Sequence, residues 1–288
     1  MAGTRDIKRQ IISVQNTQKV TKAMKMVSAA KMRRANDAMN ATKPYAEKIR
    51  EIVSTLAGSI DEENVFMREA EEVSTIALVI VNSDRGLCGA FNSNITRAVA
   101  AFRQSHPDKK LRLYIVGKNA FDFFKKRTND YEIIKQWTSF GGKISYDTAM
   151  TVTRAVTEDF EDCLFQECYI VYNEFKSAAT QYPKTSKLLP VAFAEENQGE
   201  AEYKNFIFEP NPTMLVEELI PRFVNFSVYH CLLESAAGEH GARMVAMDNA
   251  TRSADDMIKR LVLNYNKARQ AAITTDLLDI VNGAEALK

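Results

Sequence analysis

The 288-residue chain balances 38 Lys or Arg against 37 Asp or Glu for a formal net charge of +1, and is 45% hydrophobic and 26% charged. That composition and length support about two domains with buried cores and exclude chain-wide disorder, and no apolar run approaches the roughly 20 residues of a membrane-spanning helix. The first ten residues carry Arg5, Asp6, Lys8 and Arg9 with no apolar stretch after them, which argues against a secretory leader and for a cytoplasmic location. Four scattered cysteines, Cys88, Cys163, Cys168 and Cys231, lie far from histidines at zinc-site spacing, so neither a disulfide framework, a metal nor a cofactor is expected.

Charge is unevenly distributed. Residues 1–40 hold nine Lys or Arg and two Asp, a net +7, which leaves −6 for the remainder. Such a basic module suits nucleic acid, an anionic membrane or an acidic protein surface, and composition alone does not choose among them. From Thr4 to Lys43 there is no Gly or Pro, and apolar or small residues recur in steps of three and four at Ile7, Ile11, Val14, Thr21, Met24, Ser28, Met32, Ala35 and Met39, with polar Gln18 in the seam. One long helix is predicted, kinked or restarted at Pro44 and stopped at Gly58. At 1.5 Å per residue this arm would be about 80 Å long, more than the diameter of a small domain, so it should project.

The middle of the chain changes period. Residues 75–81 (TIALVIV), 111–116 (LRLYIV) and 167–172 (ECYIVY) read as buried strands, and residues 90–104, 120–127 and 146–160 as intervening helices. An α/β domain of Rossmann-like layout over residues 73–195 is expected, with turns and loops at 181–190 and 199–212. A second long helix then begins at Asn211 and Pro212, bends at Pro221 and runs to about residue 286. Its middle is unusually small, with Ala236, Ala237, Gly238, Gly241, Ala242, Ala246 and Ala250, so it should pack closely and antiparallel against the small residues of the first helix. The fold class is therefore α/β: a long antiparallel coiled coil of residues 1–57 and 211–286 with a central α/β domain.

Candidate chemistry is sparse. Residues 83–89 (SDRGLCG) follow the first strand and open a helix, where phosphates often sit, but they lack the three-glycine fingerprint and the lysine of a phosphate-binding loop, so a structural turn is the expected reading. Cys88 has no convergent histidine, since His106 lies beside Pro107 and His230 and His240 lie on the second long helix. Cys163 and Cys168 read as ordinary thiols for want of a redox motif. The methionines of the basic helix would fit a membrane or a helix-binding partner, but the chain encodes its own partner helix for that stripe.

The strings at 7–27 (IKRQIISVQNTQKVTKAMKMV), 30–33 (AKMR), 83–89 (SDRGLCG), 242–247 (ARMVAM), 265–274 (YNKARQAAIT) and 280–283 (IVNG) stand in the order found in a known family. Through them the chain resembles the gamma subunits of bacterial F-type ATP synthases, the central rotor stalk. The resemblance implies a non-catalytic shaft inside a ring of alpha and beta subunits, with contacts to epsilon and the c-ring, peripheral to the cytoplasmic face of the bacterial membrane and binding no nucleic acid. Carried over by position, Met24, Lys25, Arg243 and Met244 fall near the acidic loop of beta, Arg269, Gln270 and Thr274 near a beta catch loop, and residues 203–212 at the c-ring. Gly238 and Gly241 stand where the family more usually has Ala, Ser or Gln, at a helix cost of about 1 kcal/mol each unless tight packing needs them. The inserted cysteine-bearing loop of the chloroplast relatives is absent. The rival readings are an α/β enzyme with a helical dimerisation arm and a basic scaffold for nucleic acid.

Overall fold

The computed structural model describes residues 4–57, 64–138, 144–191 and 212–285. Five helices and five strands follow one another as α1 (Thr4–Ala57), β1 (Thr75–Val81), α2 (Phe91–Ser105), β2 (Lys110–Val116), α3 (Lys118–Phe124), β3 (Glu132–Trp137), α4 (Tyr146–Glu161), β4 (Glu167–Phe175), β5 (Gln181–Leu189) and α5 (Pro212–Glu285) among the described residues. The chain forms two compact units, one of Met1–Ser28 with Arg243–Lys288 and one of Ala29–Ala242, so the boundaries fall inside α1 and α5.

In the larger unit the sheet order is β3-β2-β1-β4-β5. Strands β1 to β4 are parallel and β5 pairs antiparallel with β4. Alternation of side chains sends Ile76, Leu78 and Ile80 of β1 into one core with Ile95 and Val99 of α2 and Phe124 of α3. Ala77, Val79 and Val81 face a second core built with α4 and with Ile49, Val53, Ile220, Val224 and Val228 of the long helices. A strand covered on both faces needs apolar residues at every position, which is why TIALVIV is continuous rather than alternating. Helices α2 and α3 line one face and α4 the other, the doubly wound arrangement.

Two strands depart from expectation. Residues 181–190, expected as turns and loops, are mostly strand β5; Pro183 and exposed lysines mark it as an edge, where a missing N–H costs no ladder bond on the open side. Strand β3 is the opposite edge, and its half-buried pattern gives a weak apolar signal. Both prolines predicted to disturb the long helices lie inside continuous helix. Packing accompanies each proline: the Tyr45 ring lies tilted by 43° with its centroid 4.3 Å from that of Phe226 just after Pro44, and Ile220 is fully buried just before Pro221. The expected stop at Gly58 and the loop at 199–211 lie outside the described residues.

In the smaller unit α1 and α5 run antiparallel. Gln18 donates to Asp255 at 3.4 Å, the Thr21 and Thr251 hydroxyls lie 2.8 Å apart, and Lys25 donates to Asp248 at 2.5 Å. Partner numbers fall on one helix as they rise on the other. Polar Gln18 in the otherwise apolar seam thus has its own polar partner on the facing helix.

Candidate partner-binding surface

The turn after β1 is held by its own side chains. Ser83 Oγ lies 2.7 Å from both the Arg85 carbonyl and Asn92 Oδ1, Asn119 Nδ2 donates to the Ser83 carbonyl at 2.9 Å, and the Lys118 N–H donates to Asp84 Oδ1 at 3.0 Å. These groups shape the passage from strand to helix, as a structural turn requires. Cys88 is buried beneath the turn, and His106 stacks on Phe102 instead of approaching it. Cys168 is fully buried and burial pushes its thiol up, whereas Cys163 is exposed, so the two do not share an environment.

The residues singled out near the middle of the arm fall in one short section of the helix pair. Met24 and Met244 are half-buried, and Arg243 is only 8% exposed. Lys25 is half-buried against Asp248, whose second carboxylate oxygen accepts from Arg252 at 2.6 Å. The Lys25 hydrogen bond first, then the Arg252 charge, holds the Asp248 carboxyl below the usual carboxylate range. By contrast Arg5, Lys8, Arg9, Lys19 and Lys22 are exposed along the same helix. The +7 arm therefore presents a cationic surface, while Lys25 is engaged within the helix pair. Sequence reading missed Asp248 and Arg252, because which acid of α5 faces Lys25 is legible only once the antiparallel register is fixed.

Arg269, Gln270 and Thr274 lie elsewhere on α5. All three are exposed, and Thr274 Oγ1 donates back to the Gln270 carbonyl at 2.9 Å. Carrying the register of the Gln18–Asp255 and Lys25–Asp248 pairs onward places Thr4 opposite Arg269, so α5 continues past the first described turn of α1. That continuation exposes large apolar side chains: Ile273, Leu277 at 57%, Leu278, Ile280 at 68% and Val281. An apolar set of this size beside an Arg, a Gln and a Thr is the composition of a protein-binding surface. The apolar residues were visible in the sequence, but their lack of a facing partner among the described residues was not.

The sequence profile of the ATP synthase family matches residues 3–287. The ATP synthase gamma chain of Geotalea uraniireducens is 40% identical over 291 residues, and that of Bdellovibrio bacteriovorus 42% identical over 296, each alignment covering all of both chains. The chain belongs to the ATP synthase gamma-chain family. Its fold is likewise that of solved stalk chains. A chain from the central stalk and c-ring structure of Tetrahymena thermophila mitochondrial ATP synthase is 25% identical with a TM-score of 0.60, covering 80% of this chain and 99% of its own. A chain from the rotor of the Euglena gracilis mitochondrial enzyme is 20% identical with a TM-score of 0.67, covering 94% and 98%. Family membership fits the two long helices flanking a five-stranded domain, and no described helix is long and apolar enough to cross a membrane.

Proposed function

We propose that this gamma chain is the central shaft of an F-type ATP synthase, coupling ion-driven turning of a c-ring to the catalytic sites of beta subunits, and that it is itself non-catalytic. The observation that carries the reading is the continuation of α5 that no described residue of α1 faces, where Arg269, Gln270 and Thr274 stand beside exposed Ile273, Leu277 and Ile280. A surface of this kind belongs inside a partner, and a ring of alternating alpha and beta subunits supplies one that encloses it. The terminal segments 1–57 and 211–286, which carry helices α1 and α5, form the shaft, and residues 73–195 form a domain outside the ring that meets epsilon and the c-ring at the cytoplasmic face of the membrane. The proposed c-ring contact at 203–211 lies outside the described residues.

A shaft performs no bond chemistry; it shifts populations. Each orientation must contact each beta state with a different free energy, because a rotor that met all states equally would move none of them. The exposed cations Arg5, Lys8, Arg9, Lys19 and Lys22 favour acidic loops on the ring, with Met24, Lys25, Arg243 and Met244 in the section nearest them. Binding of nucleic acid is not part of this reading. The enzyme alternative loses support because Ser83 and Asp84 of the 83–89 turn are engaged in holding that turn.

The test is affinity isolation of the tagged chain from its own cells after mild detergent extraction. Alpha, beta and c subunits are expected to co-isolate with it, and ATP hydrolysis in the isolate is expected to depend on beta. Recovery of the chain without alpha and beta would overturn the proposal.

A further inference from the structure

The face that α5 turns toward the sheet domain changes character along its length. Ile220, Val224, Val228, Cys231 and Leu232 fill the core beneath β1 and β4 at helical spacing. Farther on the same helix come Gly238 and Gly241, and there the side chains vanish. A Cβ at Gly238 would stand 3.2 Å from Gln181 Cγ and 3.3 Å from Phe91 Cε2. One at Gly241 would stand 3.0 Å from the Ala178 carbonyl oxygen, 3.1 Å from Ala178 Cα and 3.4 Å from Met32 Sδ of α1. The two nearest neighbours at Gly238 are side chains, with backbone only at 3.9 Å, whereas the two nearest at Gly241 are backbone, which cannot swing away.

The turn that fits this seat is itself fastened. Between β4 and β5, the Ser177 N–H donates to the Thr180 carbonyl at 3.1 Å and the Thr180 N–H to the Ser177 carbonyl at 3.2 Å. Gln181 Nε2 lies 2.9 Å from the Ser177 carbonyl and 3.0 Å from that of Ala178, so the side chain that touches Gly238 also staples the turn that touches Gly241. Behind it, buried Asn173 donates to the Phe91 carbonyl at 3.3 Å and so ties β4 to the start of α2. Two glycines within four residues weaken a helix by about 1 kcal/mol each relative to alanine, so close backbone contact is the compensating gain at this site.

We propose that the β4–β5 turn is a fixed clamp by which the sheet domain grips α5, with Gly238 and Gly241 as its seat and Gln181 as the staple that keeps the turn in shape, and that torque entering at the sheet domain passes to the shaft through it. The inference rests on the rotor reading. Because α5 continues unbroken from this seat to Glu285, a twist applied at residues 238–241 is delivered along one helix. Gln181, Gly238 and Gly241 are thus positioning residues for coupling.

The experiment compares the wild-type complex with two variants, reading ATP hydrolysis and ATP-driven ion pumping separately. Gly241→Leu cannot be seated without lifting the turn, so hydrolysis should persist while ions pumped per ATP fall by about threefold, within the range that substitutions in a coupling network produce. The second variant, Gln181→Ala, removes the staple and adds nothing to the seat, so it should also lower ions pumped per ATP while hydrolysis persists, by less than Gly241→Leu because the Ser177–Thr180 backbone bonds remain. Wild-type pumping per ATP in Gly241→Leu would overturn the clamp, and wild-type pumping in Gln181→Ala would overturn the staple. Failure of the rotor reading is recognised separately, as a wild-type complex whose pumping survives depletion of this chain.

Discussion

Glu234 shows how one residue can stand against its surroundings. It is 9% exposed, close to the Tyr172 phenol and Cys231, with His230 Nδ1 at 3.8 Å on its own helix and Glu174, Lys176 and Lys184 contributing charge from the β4–β5 hairpin. Burial raises its carboxyl above the ordinary value, reinforced by Glu174 and opposed by the Tyr172 hydrogen bond and by Lys184 and Lys176. A raised carboxyl favours the protonated form in the native state. Its stabilising contribution is therefore complete below the ordinary glutamate range and is lost as pH rises through the folded value. Glu234→Gln keeps an acceptor for Tyr172 and removes the charge, so the full chain should melt higher than wild type at pH 8, with the gap closing as pH falls toward 4. A variant that melts lower than wild type at pH 8 would contradict this. None of it was legible in the sequence, because Tyr172 and Glu234 are brought together by the packing of a helix on a distant strand.

At the scale of elements, the polar contacts across the α1–α5 pairing in the smaller unit include the Lys25–Asp248–Arg252 group, beside Gln18–Asp255 and Thr21–Thr251. Lys25→Glu would place like charges face to face, so the full chain should lose thermal stability. Adding Asp248→Lys should restore most of it, and the rescue should weaken as salt is raised. Failure of the second substitution to rescue would show that the pair does not set the register. Because Asp248 is held below the usual carboxylate range, its contribution is present above the ordinary aspartate value and lost as pH falls through the folded one. The helices and the buried strands were legible because each carries a long, consistent period: TIALVIV can hardly be anything but a doubly covered strand. Strand β5 was not, since an edge strand is disguised by Pro183, Lys184 and Lys187. Gly238 and Gly241 were legible as an anomaly, and the small cluster was expected to serve the approach of the two helices. At these two positions the close neighbours are chiefly Ala178, Gln181 and Phe91, with Met32 as the contribution from α1.

For the whole molecule, the sequence motifs carried the family and the register of the helix pair supplies what motifs cannot: which part of the shaft is left for others to bind. Neighbours on a helix point about 100° apart, so adjacent Arg269 and Gln270 do not share one direction. Both are outward. Neither is needed by the chain's own fold at such exposure, and alanine is the best helix former, so Arg269→Ala with Gln270→Ala should leave the melting temperature of the isolated chain unchanged. In the complex the expectation differs. A guanidinium fork beside an amide can grip carboxylate or backbone groups of a beta loop, and a grip made at only some shaft angles alters the barrier between catalytic states without being needed for assembly. Steady-state ATP turnover of the reconstituted complex should therefore fall by about two- to tenfold, a size typical of altered coupling, while subunit stoichiometry on a native gel stays as in wild type. Turnover equal to wild type across pH and ATP concentration would make the pair solvated helix surface, and would leave the exposed apolar residues from Ile273 to Val281 as the part of α5 that engages the ring.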